Sequence, residues 1–180
     1  MRNIQILHFN DAYHLSAQKK EPVGGVARFA TAIKEFRAKY GPDSSCVLFS
    51  GDLFNPSVES SVSKGRHMAT YQILNLFFTY ISFFITRVFM NFSYRLCFNN
   101  CTNSKIPAIN NFGVDVACLG NHDFDFGLPN LKALVRDSNF PWLLSNVLDS
   151  ESGNPVADAK IFHILEKNGL KLGIIGLVEK

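Results

Sequence analysis

Asn121, His122, Asp123 and Asp125 follow Gly120 directly, where the short apolar run 114–119 ends. An amide, an imidazole and two carboxylates gathered in this way can bind a divalent metal and set a proton donor beside it. The same residue types also build tight turns for structure alone. Two more polar groups close apolar runs elsewhere: Asn10-Asp11 after Ile4 to Phe9, and Gly51-Asp52 after Cys46 to Phe49 and Ser50. A carboxylate from each of two strands, with an amide and an imidazole from a third, is a way to assemble a two-ion site. An Asp carboxylate can bridge ions about 3.5–4 Å apart. Oxygen ligands suit Mn or Mg, and added imidazoles favour Zn or Fe.

These residues need a scaffold that brings strand ends together. Ile4 to Phe9 alternates as a strand. Gly24-Gly25 opens a helix to about Tyr40, with Val26, Phe29, Ala30, Ile33 and Phe36 on one face and Gly41-Pro42 as its stop. Cys46 to Phe49 is a short apolar strand. A second helix is expected from near Ser57 to at least Met68. Strand 114–119 leads into the Gly120 motif, a helix follows from Leu128 to Val135, and Pro141 to Asn146 reads as another strand. Ile161 to Leu165 and Leu170 to Leu177 flank Asn168-Gly169, a strong hairpin turn. Alternating strands and helices indicate an α/β fold, and the polar sets at 10–14, 50–55, 120–125 and 145–146 fall at strand carboxyl ends, where such folds gather ligands.

The 180 residues are 47% apolar and 18% charged, a globular balance with room for a sizeable core. A net charge of +3, with scattered Lys and Arg, gives no footprint for nucleic acid. Cys46 and Cys118 lie in apolar strands as small hydrophobes, while Cys97 and Cys101 lack the second pair that a zinc site needs. The first residues run straight into a strand with no secretory apolar region, so a cytoplasmic location is expected.

The middle departs from this pattern. No acidic residue occurs between Glu59 and Asp115, and residues 73–92 carry a single charge, Arg87. That stretch is long and apolar enough for a membrane span. The alternatives are a buried helix with a long insertion, or residues foreign to the functional protein.

Asp11 in Ile6-Leu7-His8-Phe9-Asn10-Asp11, Gly51-Asp52, Gly120-Asn121-His122-Asp123 and Ser145-Asn146 resemble the successive motifs of the calcineurin-like metallophosphoesterases. The wording is closest to the 5′-nucleotidase branch, to which Gly24-Gly25-Val26-Ala27-Arg28 and the run 121–127 are also similar. The resemblance covers about 1–68 and 107–180, leaving 69–106 as an apolar insertion or translated intron. It implies a layered α/β/β/α sandwich, incomplete at its C-terminus, that hydrolyses phosphate monoesters, with nucleotides as substrates. Two divalent ions (Zn, Mn, Mg or Fe) are implied as cofactors. Asp11 would hold one, Asp52 would bridge both and Asn121 would hold the second. His122 would lie beside the phosphate, and Asp125 would orient His122.

Three departures shape the expectation. The family pattern Asp-x-His reads Asp11-Ala12-Tyr13 here, with His14 one position on and expected on the opposite side of an extended segment. A neutral phenol is a poor ligand, so a weaker first site or a different ion is expected. The family's later Gly-His-x-His ligands and nucleotide-gripping domain are not in these residues, and His163 lacks that context. The insertion is the third departure. A rival expectation is therefore a truncated, non-catalytic fragment or pseudoenzyme that binds metal weakly; a further rival is a membrane-associated protein anchored by 73–92.

Overall fold

The computed structural model describes residues 2–66 and 108–179. The apolar stretch 73–92, the Cys97–Cys101 pair, Met68 and the insertion 69–106 lie outside the described residues. Among the described residues no helix is long and apolar enough to cross a membrane.

The strands β1 (Gln5–Phe9), β2 (Ser45–Phe49), β3 (Val116–Cys118) and β4 (Trp142–Leu143) form one parallel sheet in the order β1-β2-β3-β4. The register pairs Phe9 with Phe49, Phe49 with Ala117 and Cys118 with Leu143, so the carboxyl ends of the strands finish together. Parallel neighbours need crossovers. Helix α1 (Val26–Tyr40) crosses from β1 to β2, and α3 (Leu128–Arg136) crosses from β3 to β4. A central strand covered on both faces should be apolar throughout. In β2, Cys46, Val47 and Phe49 are all nearly inaccessible.

Aromatic rings fill the layer between helix and sheet. Phe29 of α1 meets Phe9 and Phe112 edge-on, at centroid distances of 4.8 and 5.2 Å. Trp142 takes Phe49, Phe54 and Phe140 at 6.0, 5.7 and 5.5 Å. Such pairs contribute about 0.5–1.5 kcal/mol each beyond burial. At the opposite end of the sheet from the polar motifs, Asp115 accepts from Arg37 and lies 3.1 Å from Lys167, which ties α1, β2 and the hairpin strand below to one carboxylate.

Two elements are shorter than their sequence patterns. Helix α2 spans Val58–Ser63 and does not continue to Met68. Ser57 and Ser60 cap its start reciprocally, Ser60 N–H to Ser57 Oγ at 3.0 Å and Ser57 N–H to Ser60 Oγ at 2.6 Å. Its end is set by Lys64 and Gly65 at φ 52 and 83, a left-handed exit that stops the helical ladder. Strand β4 is only Trp142–Leu143, because the chain beyond it changes partners: Leu144 N–H donates to Lys160 and Ser145 N–H donates to Gly176.

Strands β5 (Phe162–Lys167) and β6 (Leu170–Ile175) form a separate antiparallel pair. Asn168 and Gly169, at φ 51 and 69, make the turn that their types predicted. Both free cysteines among the described residues, Cys46 and Cys118, lie in the sheet as expected.

Candidate active site at the strand ends

Beyond the last paired residues of β1 and β2 the backbones stay in contact. Asp11 N–H donates to Gly51 C=O at 3.1 Å, and Ala12 N–H donates to Asp52 C=O at 3.2 Å. Both aspartates hold left-handed backbone, at φ 55 and 61. That conformation costs an ordinary L-residue roughly 1–2 kcal/mol and is less unfavourable for Asp. Two carboxylates accept such backbone side by side at the sheet's carboxyl edge, which is a pattern of functional strain.

The end of β3 closes on the same point. A Cβ at Gly51 would meet Gly120 Cα at 2.7 Å, and a Cβ at Gly120 would meet Asp52 N at 2.6 Å. The two glycines therefore let the loop ends abut. Asp123, 2% exposed, then stitches them together. Its Oδ1 accepts from Leu53 N–H at 2.8 Å and Phe54 N–H at 3.1 Å. Its Oδ2 accepts from Gly120 N–H at 2.9 Å and Asp52 N–H at 3.1 Å. Burial pushes its pKa up to about 6, against the pull of these four donors. Sequence reasoning placed Asp123 in the motif without a role. Three of its four partners are backbone groups some seventy residues away, which no local spacing reveals; the fourth, Gly120, lies in its own turn.

His122 stands on this stitched loop. Its backbone N–H donates to Asp52 Oδ1 at 2.9 Å, and its ring Nδ1 lies 2.9 Å from Asp125 Oδ2. The hydrogen bond that the ring donates to Asp125 raises the imidazole pKa above 6.5; desolvation opposes this, and the charges of Asp125, Asp52 and Asp11 add to it. Burial works against the charge of Asp125, but hydrogen bonds from Asn55 and His122 outweigh it and hold that carboxyl below its ordinary value. Helix α3 begins after Gly127 with no side-chain cap, so Asp125 does not cap it. Asn55, which donates to Asp125 Oδ2, is a second residue that sequence reasoning left unassigned, although it sits in the polar set at 50–55.

The end of β1 is arranged differently. Tyr13 donates its hydroxyl to Asp11 Oδ1, and Asn10 donates its side-chain amide to Asp11 Oδ2. Burial, hydrogen bonding to Asp11 and, more weakly, to Asp52, and the charges of both carboxylates push the phenol pKa upward, so Tyr13 remains a protonated donor. His14 lies 3.7 Å from Glu59. His163 sits opposite Ile174 in the hairpin, not on the parallel sheet whose ends carry Asp11, Asp52 and Asn121.

Asp11, Asp52, Asn121, His122 and Asp125 thus occupy the adjoining ends of β1, β2 and β3. Asp52 and Asn121 offer the oxygen donors that suit a hard divalent cation. At Asp11 both oxygens accept from neutral donors, Tyr13 and Asn10. Among the described residues, no three His, Cys, Asp or Glu side chains are grouped to hold a metal ion.

The fold is that of the calcineurin-like phosphoesterases: a calcineurin-like phosphoesterase of Bacillus subtilis superposes with a TM-score of 0.58 at 21% identity, over 97% of this chain and 48% of that one. By sequence the chain is similar to proteins named 5′-nucleotidase. It is 27% identical to the snake venom 5′-nucleotidase of Gloydius brevicauda over 98% of its residues, and 25% identical to the 5′-nucleotidase of Vibrio vulnificus over 97%. It spans about a quarter of the length of these relatives, 26% and 25% respectively. No protein-family model matches.

Proposed function

We propose that the chain belongs to a phosphate-monoester hydrolase of the 5′-nucleotidase type, acting on nucleotides, with its reacting phosphate at the end of β3. The observation that carries this reading is the His122–Asp125 pair at 2.9 Å beside the Asp52 carboxylate, on a glycine-built edge of a parallel sheet. The sequence relatives named for that reaction support it.

Asp52 and Asn121 would hold a divalent cation. A bound cation supplies charge stabilisation at a phosphoryl oxygen. Every other part of the proposal belongs to the chain. Asp125 accepts at Nδ1 and fixes the ring, which leaves Nε2 as the nitrogen that serves the substrate. As imidazolium, His122 stabilises charge on the phosphoryl group and donates its Nε2 proton to the leaving oxygen as the P–O bond breaks. Water supplies the oxygen that replaces it on phosphorus. Asp123 positions His122 by fixing the two loops on which Asp52 and His122 sit.

The test is phosphate release from a chromogenic phosphate monoester and from a nucleoside 5′-monophosphate, with Mn²⁺ or Zn²⁺ added. Turnover that is lost in Asp52→Asn supports the reading. Equal turnover in that variant, or no turnover by the wild type with any divalent cation, overturns it for this chain.

A further inference from the structure

Both oxygens of the Asp11 carboxylate are engaged by donors from its own turn. The Tyr13 hydroxyl, two residues on, takes Oδ1, and the Asn10 amide, one residue before, takes Oδ2. Backbone ties from Asp11 to Gly51 and from Ala12 to Asp52 hold that turn against the end of β2. A neutral phenol offers a donor to the carboxylate and only a weak lone pair to a cation. The neighbouring imidazole gives no substitute, since His14 faces Glu59 at 3.7 Å. Asp52 takes the His122 backbone N–H at Oδ1, next to Asn121 in the chain; Tyr13 also acts on it, but more weakly than on Asp11.

We propose that Tyr13 and Asn10 withdraw Asp11 from metal ligation, so that this chain binds a single divalent cation, at Asp52 and Asn121, in place of a pair. The inference rests on the reading of the site as a cation-dependent phosphoesterase. It deepens that reading by making the end of β1 a hydrogen-bonded wall of the site.

Mn²⁺ titrated into the whole chain tests it. Native mass spectrometry counts bound ions, and electron paramagnetic resonance of free Mn²⁺ gives the affinity. One ion per chain is expected. Asp11→Asn should weaken binding only about twofold to threefold, through the lost charge alone, and Asp52→Asn should weaken it by about tenfold or more. Tyr13→His, which removes the hydroxyl and adds an imidazole, should raise the count to two. Circular dichroism confirms that each variant is folded. Two ions on the wild type, or an Asp11→Asn variant weakened as much as Asp52→Asn, overturns the inference while leaving the hydrolase reading intact. A single bound ion without phosphate release sinks the hydrolase reading for this chain and leaves the stoichiometry standing. No bound ion in the wild type overturns both.

Discussion

At the end of β1 the Asp11 carboxylate accepts from two side chains, Tyr13 and Asn10, and stands at the surface. At the end of β3 the Asp123 carboxylate accepts from four backbone N–H groups and is 2% exposed. The two aspartates follow β1 and β3, the strands that flank β2. Their different donors give them different work. Side-chain donors can be removed or exchanged without disturbing the chain path. Backbone donors make the carboxylate part of the path itself. The end of β3 is therefore the rigid half of the site, and His122 and Asp125 are mounted on it. The end of β1 is the adjustable half.

The largest expected effect follows from that rigidity. Asp123→Ala strands four donors, of which Leu53 and Phe54 lie at buried positions, and should cost about 3–5 kcal/mol of stability. Urea unfolding measures it. A loss below about 1 kcal/mol would show that solvent or another group satisfies these amides, and the contrast between the two strand ends would fail.

Next in size is the effect on the reaction. His122→Ala should lower kcat by about a hundredfold to ten-thousandfold, the range for a positioned acid or base. Its fold should be intact, since the His122 side chain is partly exposed and the stitched backbone does not depend on it. Steady-state phosphate release gives the comparison. A KM change with kcat preserved would reassign His122 to substrate binding.

The smallest effect belongs to the end of β1. Asp11→Gly should change stability by less than about 1 kcal/mol, because glycine relieves the left-handed backbone at φ 55 while losing exposed hydrogen bonds. Thermal melting decides it. A loss as large as that of Asp123→Ala would make both strand ends equally structural.

How legible this site was depends on who the partners are. His122 and Asp125 are three residues apart, and their pairing follows from the local turn. The strands, α1 and the Asn168-Gly169 hairpin followed from periodicity and turn chemistry. Asp123 was opaque because its four donors are backbone groups, three of them in a loop after β2. Asn55 was opaque because its side-chain link to Asp125 crosses between loops distant in sequence. The early end of α2 depends on a left-handed Lys64 that no composition signal marks. Tyr13 was recognised as a poor ligand, but its donation to Asp11 required the turn geometry.

The central claim is that, at the end of β3, Asp125 orients the His122 imidazole and raises its pKa. A folded-state pKa raised above 6.5 keeps the imidazolium to higher pH. Any stability it contributes is fully present below the unfolded pKa and is lost as pH rises through the folded one. Proton NMR titration of the His122 ring, in the wild type and in Asp125→Asn, measures this directly. The account predicts a midpoint above 6.5 in the wild type and a downward shift in the variant. A midpoint at the ordinary histidine value, unmoved by Asp125→Asn, would contradict it.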